Sequence, residues 1–349
     1  MNKIGKMIIT DEDKLKEYLP SGRVWQGIPS FERTKKGRCF SVFYTGETGE
    51  MNGNYCTLAV SDDGENWRDP VVVTYAGKSR RCYDPNVWID PLGRLWLIWS
   101  VMPDLSVYAA ICDKPDADKL VFGEERRIGT GVLLNKPTVL SSGEWLFPIA
   151  VWKESVISPY DAQKIKVPRL AFVVRTVDEG KTFTRLGGVD MPERCFDEHM
   201  IVELKDGRLA MFVRTYYGIG VSFSFDGGFT WSEGKDTGIL SPNSRFFIRK
   251  LESGNYLLVT NDSKRREKMT AFISTDECKT WKGGLLLDKR DQVSYPDGVE
   301  SDGCIYITYD CERGNPRTLE ATEKCAREIL YARFTVFIKY ALSEKPHSN

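Results

Sequence analysis

One pattern of apolar and polar positions recurs six times along the chain. An extended run rich in Val, Ile, Phe, Tyr or Trp enters a tight polar turn with glycine, and a second apolar run leaves it. The segments DPNVWIDPLGRLWLIWSV and HMIVELKDGRLAMFVRT show the form. Such runs suit half-buried strands, and glycine suits the turn because it accepts positive φ. The turn glycines are Gly37, Gly93, Gly143, Gly207, Gly254 and Gly303, with successive gaps of 56, 50, 64, 47 and 49 residues. Units of roughly fifty residues made of short strands predict an all-β fold, a six-bladed β-propeller of four-stranded antiparallel blades. Residues 1–22 read as an N-terminal extension and residues 23–349 as the propeller. Helical periodicity is confined to Thr10–Tyr18 and Thr318–Ile329.

A second motif is phased with the first. Thr176–Phe183 (TVDEGKTF) and Ser224–Trp231 (SFDGGFTW) share one template. Ser274–Trp281 matches with Cys278 in a glycine place. Asp62–Trp67 matches more loosely, with Val60 where Ser or Thr is expected. The Asp and hydroxyl side chains can hydrogen-bond turn backbone, and the closing aromatic can bury between sheets. These motifs read as structural staples. The second blade lacks one, near Asp113–Phe122.

Composition removes several function classes. Basic and acidic residues number 49 each, which gives no support for a nucleic-acid or membrane-surface partner. No apolar run is long enough for a membrane helix. The first residues carry Asp11, Glu12, Asp13 and Glu17 and no apolar signal core, so a cytoplasmic location is expected. Nine cysteines are scattered without C-x-x-C pairs and read as small buried hydrophobes. The two histidines, His199 and His347, are too few for a His-based metal site, and no metal or organic cofactor is expected.

Blade geometry limits which side chains can meet. The glycine turns join strands one and two, counted outward from the axis, and the staple motifs join strands three and four. Both lie on one face of the disc. The opposite mouth is surrounded by the starts of the inner strands and the loops between strands two and three. The starts offer Gln26, Arg81, Asp84, Lys136, Glu198, His199, Arg245, Tyr295 and Asp297. The loops offer Glu47, Glu50, Arg214, Tyr216, Tyr217, Arg265, Arg266, Asp310 and Arg313. So many ionisable groups at one mouth read as a polar ligand site.

The staple motifs are Asp-boxes (BNR repeats), and with six units the sequence resembles the sialidase (neuraminidase) superfamily over nearly its whole length. The resemblance implies a Tyr nucleophile activated by a Glu, an acid/base carboxylate, and arginines clamping a sugar carboxylate. Carried over, Tyr295 is the nucleophile, Glu198 its activator, and Arg214 and Arg266 are clamp residues, with Arg265 a near alternative. Glu50 falls near the acid/base, with Glu47 or Asp84 as alternatives. One departure stands out. The family carries R-I-P where this chain has Gln26-Gly27-Ile28-Pro29, so one bidentate arm of the clamp is missing. Arg81, Arg245 and Arg313 are candidates to compensate, and Gln26 and His199 candidates to contact substrate. The expected activity is an exo-acting glycosidase on a terminal, acidic carbohydrate. The rivals are a non-catalytic carbohydrate-binding propeller and a lyase-like enzyme using His199 or Tyr295 as base.

Overall fold

The computed structural model describes residues 5–47, 49–153, 166–311 and 328–336. Arg313 and most of Thr318–Ile329 lie outside them. The described strands form six antiparallel sheets around one axis. The inner strands are Trp25–Arg33, Arg81–Ile89, Thr138–Val139, Arg194–Glu203, Phe247–Lys250 and Val293–Ser301. Strand number departs from a uniform four. Blade six shows three strands among the described residues, and blade one has five. The fifth comes from the N-terminal segment, where Ile8 and Ile9 pair with Thr74 and Val73 on the outer edge. Glu125 accepts from the Met7 and Ile8 amides and fixes that strand from blade two. Of the helical periodicity at residues 10–18, one α-turn forms at Glu12–Leu15, capped by Asp11, and passes into a 3-10 turn at Lys16–Tyr18.

All six turn glycines join strands one and two. At Gly93 and Gly207 φ is +79° and +84°, and a Cβ there would meet nothing within 4 Å. Backbone conformation, and not crowding, is what calls for glycine at these two turns. The Asp-boxes join strands three and four of blades one, three, four and five. In each, a hydroxyl and an Asp fold the turn. The Thr230 hydroxyl and amide donate to Asp226, Ser224 Oγ donates to it as well, and these bonds hold Asp226 down at about 2. The blade-one box differs from its expected alignment. Ser61 and Asp63 take the hydroxyl and Asp places, not Val60 and Asp62, and the turn is one residue shorter between Asp63 and Gly64.

Aromatic residues fill the seams between blades. Trp88, Trp96, Trp145 and Phe147 form one seam, and Phe183, the closing aromatic of a box, packs on Phe147 at 5.4 Å. Ring closure joins blade one to blade six. Phe31 stacks on Tyr306 at 5.9 Å, and Ser30 Oγ and the Phe31 amide donate to Asp297 at 2.6 and 3.0 Å.

At the axis, Lys136 of blade three reaches across the channel. Its ammonium lies 2.9 Å from Asp297 of blade six and donates to the Val87 carbonyl of blade two at 2.8 Å and to the Phe31 carbonyl of blade one. Arg245 of blade five approaches the other oxygen of Asp297 at 3.2 Å. Burial alone would raise the Asp297 carboxyl, but Lys136 and Arg245 more than offset it and hold it below the usual range. Glu32, buried alongside, is pushed up by burial despite Lys136.

Removing one member leaves a buried charge unpaired. Asp297→Asn and Lys136→Met should each lower unfolding free energy by about 3–5 kcal/mol, measured by urea denaturation. A loss under about 1 kcal/mol would show that water compensates the cluster.

Candidate active site

Four inner strands carry a β-bulge near the mouth, seen as a register shift between Gly27 and Ser30, Tyr83 and Asn86, Arg194 and Met200, and Ser294 and Asp297. At each, non-glycine residues adopt positive φ: Ile28, Asp84, Phe196, Asp197, Glu198 and Tyr295. Such backbone costs about 1–3 kcal/mol per residue and persists only where its surroundings enforce it. Three of these residues precede proline (Pro29, Pro85 and Pro296), which has no amide to offer the ladder. Neighbouring blades supply the enforcement. Asp310 accepts from the Ile28 amide at 2.9 Å, and Asn135 of blade three donates to the carbonyls of Glu198 and His199 at 2.8 and 3.1 Å. A bulge re-aims side chains, and Tyr295 and Glu198 meet as a result.

The Tyr295 hydroxyl donates to Glu198 Oε1 at 3.0 Å. Arg214 Nη1 donates to the same oxygen at 2.7 Å and to the Tyr295 hydroxyl at 3.0 Å. Arg214 Nε donates to Asn243 Oδ1 at 2.7 Å. Burial works against the charge of Arg214, yet Glu198 and Tyr295 hold its pKa above the usual arginine range. The Arg266 guanidinium lies over the Tyr295 ring, 5.2 Å from its centroid. Buried Tyr295, Glu198 and Arg214 and half-buried Arg266 thus form one cluster drawn from blades four, five and six.

Blades one and two contribute a second cluster. Arg81 lies over the Tyr83 ring at 5.0 Å, donates to the Tyr44 hydroxyl at 3.5 Å, and faces Glu50 at 3.9 Å. Asp84 is buried beside Tyr44 and Tyr83, and burial raises the pKa of both phenols. An arc of aromatic rings spans the two clusters. Trp25 meets Tyr44 at 4.9 Å, Tyr44 meets Tyr83 at 6.4 Å, Tyr83 meets Trp152 at 6.0 Å and Trp152 meets Phe196 at 5.1 Å. Sequence reasoning missed Asn243, Phe196, Trp152, Tyr44 and Tyr83. Asn243 was the most findable, two residues before Arg245 at an inner-strand start.

The profile of the BNR repeat-like domain family matches residues 41–307. The chain belongs to this family. No curated protein sequence matches it. Solved structures give the same fold. A protein of unknown function from Dyadobacter fermentans superposes with a TM-score of 0.65 at 16% identity, covering 87% of this chain and 93% of its own. The NanB sialidase from Streptococcus pneumoniae gives 0.68 at 14%, covering 96% and 71%. The intramolecular trans-sialidase from Ruminococcus gnavus gives 0.66 at 14%, covering 89% and 94%. The chain is therefore a sialidase-like BNR propeller.

Several residues expected at the mouth of this BNR propeller sit elsewhere. Arg245, Lys136 and Asp297 lie deeper, in the axial cluster, so Arg245 is not placed to replace the missing clamp arm. Gln26 faces a groove between blades one and six, beside Phe31, Thr308 and Leu330. Strand alternation puts it on the opposite sheet face from Trp25. Arg265 is exposed and faces Asp291 at 3.9 Å, so of this neighbouring pair it is Arg266 that meets Tyr295. Glu47 lines a cleft on the rim of blade one, and Tyr216 is exposed. Among the described residues, no group of three His, Cys, Asp or Glu is arranged to hold a metal ion.

His199 points into the seam between blades three and four. Its Nε2 donates to the Phe172 carbonyl at 2.9 Å, and burial lowers its pKa to about 4. The ring is neutral near pH 7, fixed by that bond, and turned away from Tyr295. A folded pKa below the unfolded value of about 6.5 gives stability that is full above pH 6.5 and lost as pH falls toward 4. The excess stability of wild type over His199→Asn should shrink by about 2 to 3 kcal/mol between pH 7.5 and 4.5, read from urea curves at both pH values. A difference independent of pH would mean that His199 protonates freely in the folded state.

Proposed function

We propose that this BNR propeller is an exo-acting glycoside hydrolase of the sialidase superfamily that removes a terminal, acidic sugar. The observation that carries the reading is the 3.0 Å bond from the Tyr295 hydroxyl to Glu198, with Arg214 bonded to both. Transfer of the phenol proton to Glu198 makes Tyr295 a nucleophile for the anomeric carbon, and the Arg214 cation stabilises the developing phenolate. A phenol suits an acidic sugar because an anionic carboxylate nucleophile would be repelled by the substrate's own charge. Glu50 or Asp84 protonates the leaving oxygen from the blade one and two side. Water then releases the sugar from Tyr295, with retention of anomeric configuration.

Gly27 supplies no charge, so the acidic group is met by Arg214 and Arg266, with Arg81 across the mouth. Tyr295, Glu198 and Arg214 are only 5%, 6% and 5% exposed. The position of His199 gives no support to a lyase that uses His199 as its base.

A panel of aryl glycosides of sialic, ketodeoxy and uronic sugars tests this. Wild type should release one of them. Tyr295→Phe and Glu198→Gln should each lower kcat/KM by about 10²–10⁴-fold, and Tyr295→Phe, which keeps the Glu198–Arg214 ion pair, should do so with little change in melting temperature. Equal rates in wild type and Tyr295→Phe would remove Tyr295 from the mechanism. Binding of an acidic sugar without release from any aryl glycoside would favour the non-catalytic propeller.

A further inference from the structure

Blade one carries a second concavity, on the far side of the loop that bears Glu50. It is a cleft of about 480 Å3 lined by Tyr18, Tyr55 and Tyr75, with Glu17, Glu47, Asn52 and Lys78 among its polar groups. We propose that this cleft binds a neutral sugar ring of a glycan chain. The tyrosine rings form a corner and not a flat strip. Tyr18 meets Tyr55 edge-on at 4.8 Å and 74°, and Tyr75 at 6.0 Å and 58°. All three rings are half-buried. A pyranose offers an apolar C–H face and a rim of hydroxyls, which complements aromatic faces ringed by amide, carboxylate and ammonium groups.

The corner is preorganised. Arg23 Nη2 donates to the Tyr18 carbonyl at 2.8 Å, and the same guanidinium is paired with Asp69. The loop wall is also fixed, because the Gly53 amide donates to the Arg80 carbonyl and the Asn54 side chain to the Gly49 carbonyl, both at 2.6 Å. One loop therefore shows Glu50 to Arg81 at the mouth and Glu47, Met51 and Asn52 to the cleft. A glycan whose terminal sugar enters the mouth would run over this loop into the tyrosine corner. A peptide is a poorer fit, since Ile8–Ile9 already covers the outer strand edge that would accept an extended chain. Two carboxylates against one ammonium disfavour a phosphate backbone.

The cleft stands whether or not Tyr295 performs chemistry, so binding is measured on Tyr295→Phe. The probes are lactose, maltotetraose, cellotetraose and lacto-N-tetraose, followed by calorimetry and saturation-transfer NMR. At least one should bind. Adding Tyr18→Ala should weaken it about tenfold, and Tyr18→Phe, which keeps the ring, should stay within about threefold. Lys78→Ala should also weaken it. If Tyr18→Ala does not fold, Tyr75→Ala and Lys78→Ala carry the test. The proposal is overturned if no probe binds. It is equally overturned if the cleft variants bind as well as their parent, which would place the sugar elsewhere. Loss of aryl-glycoside hydrolysis has no bearing on either result.

Discussion

The Lys136 ammonium at the axis is the contact on which the arrangement depends. It comes from blade three, ends against Asp297 of blade six, and bonds carbonyls of blades one and two. Arg245 brings blade five to the same carboxylate. A buried ion cluster is weak evidence for net stability, since desolvation opposes the attraction. Its effect here is positional, because inner strands that share one carboxylate cannot slide along the axis independently. Tyr295 lies two residues before Asp297 on the same strand, so anchoring Asp297 sets the height of Tyr295 at the mouth.

Bulge and anchor work together. Val293–Ser301 passes from the mouth residue Tyr295 to the axial residue Asp297 within one register shift. Arg194–Glu203 similarly turns Glu198 toward Tyr295 while sending His199 into the seam with blade three. Adjacent positions thus serve opposite ends, Glu198 at the mouth and His199 in the seam. The strained backbone is held by Asp310 and Asn135, which belong to other blades.

What was legible in the sequence follows from what is local. The turn at Gly93 and the box at Ser224–Trp231 are set by a few neighbouring residues, so their chemistry shows directly and the blade count follows. The box at Ser61–Trp67 was misaligned because one deleted residue shifts the template while its bonds survive. The pairing of Tyr295 with Glu198 was reached through resemblance and strand position. Depth along the channel was not legible. Arg245 and Arg81 both stand at inner-strand starts, yet one is drawn to Asp297 and the other rests on Tyr83. Nothing within the segment around Arg245 encodes its depth, because its partner Asp297 lies on blade six. The aromatic arc was hidden for the same reason, its members being spread from Trp25 to Phe196.

The short strand at Ile8–Ile9 changes how the N-terminus behaves in any shortened version of the chain. It occupies the outer edge of Arg68–Thr74 and is itself tethered by Glu125. Trimming the first ten residues would strip a hydrogen-bonded border from a Val-rich edge and expose the buried surface of Val73. A bare edge of that kind recruits extended segments from other molecules. Solubility, more than folding of the ring, is then what such a truncation would put at risk.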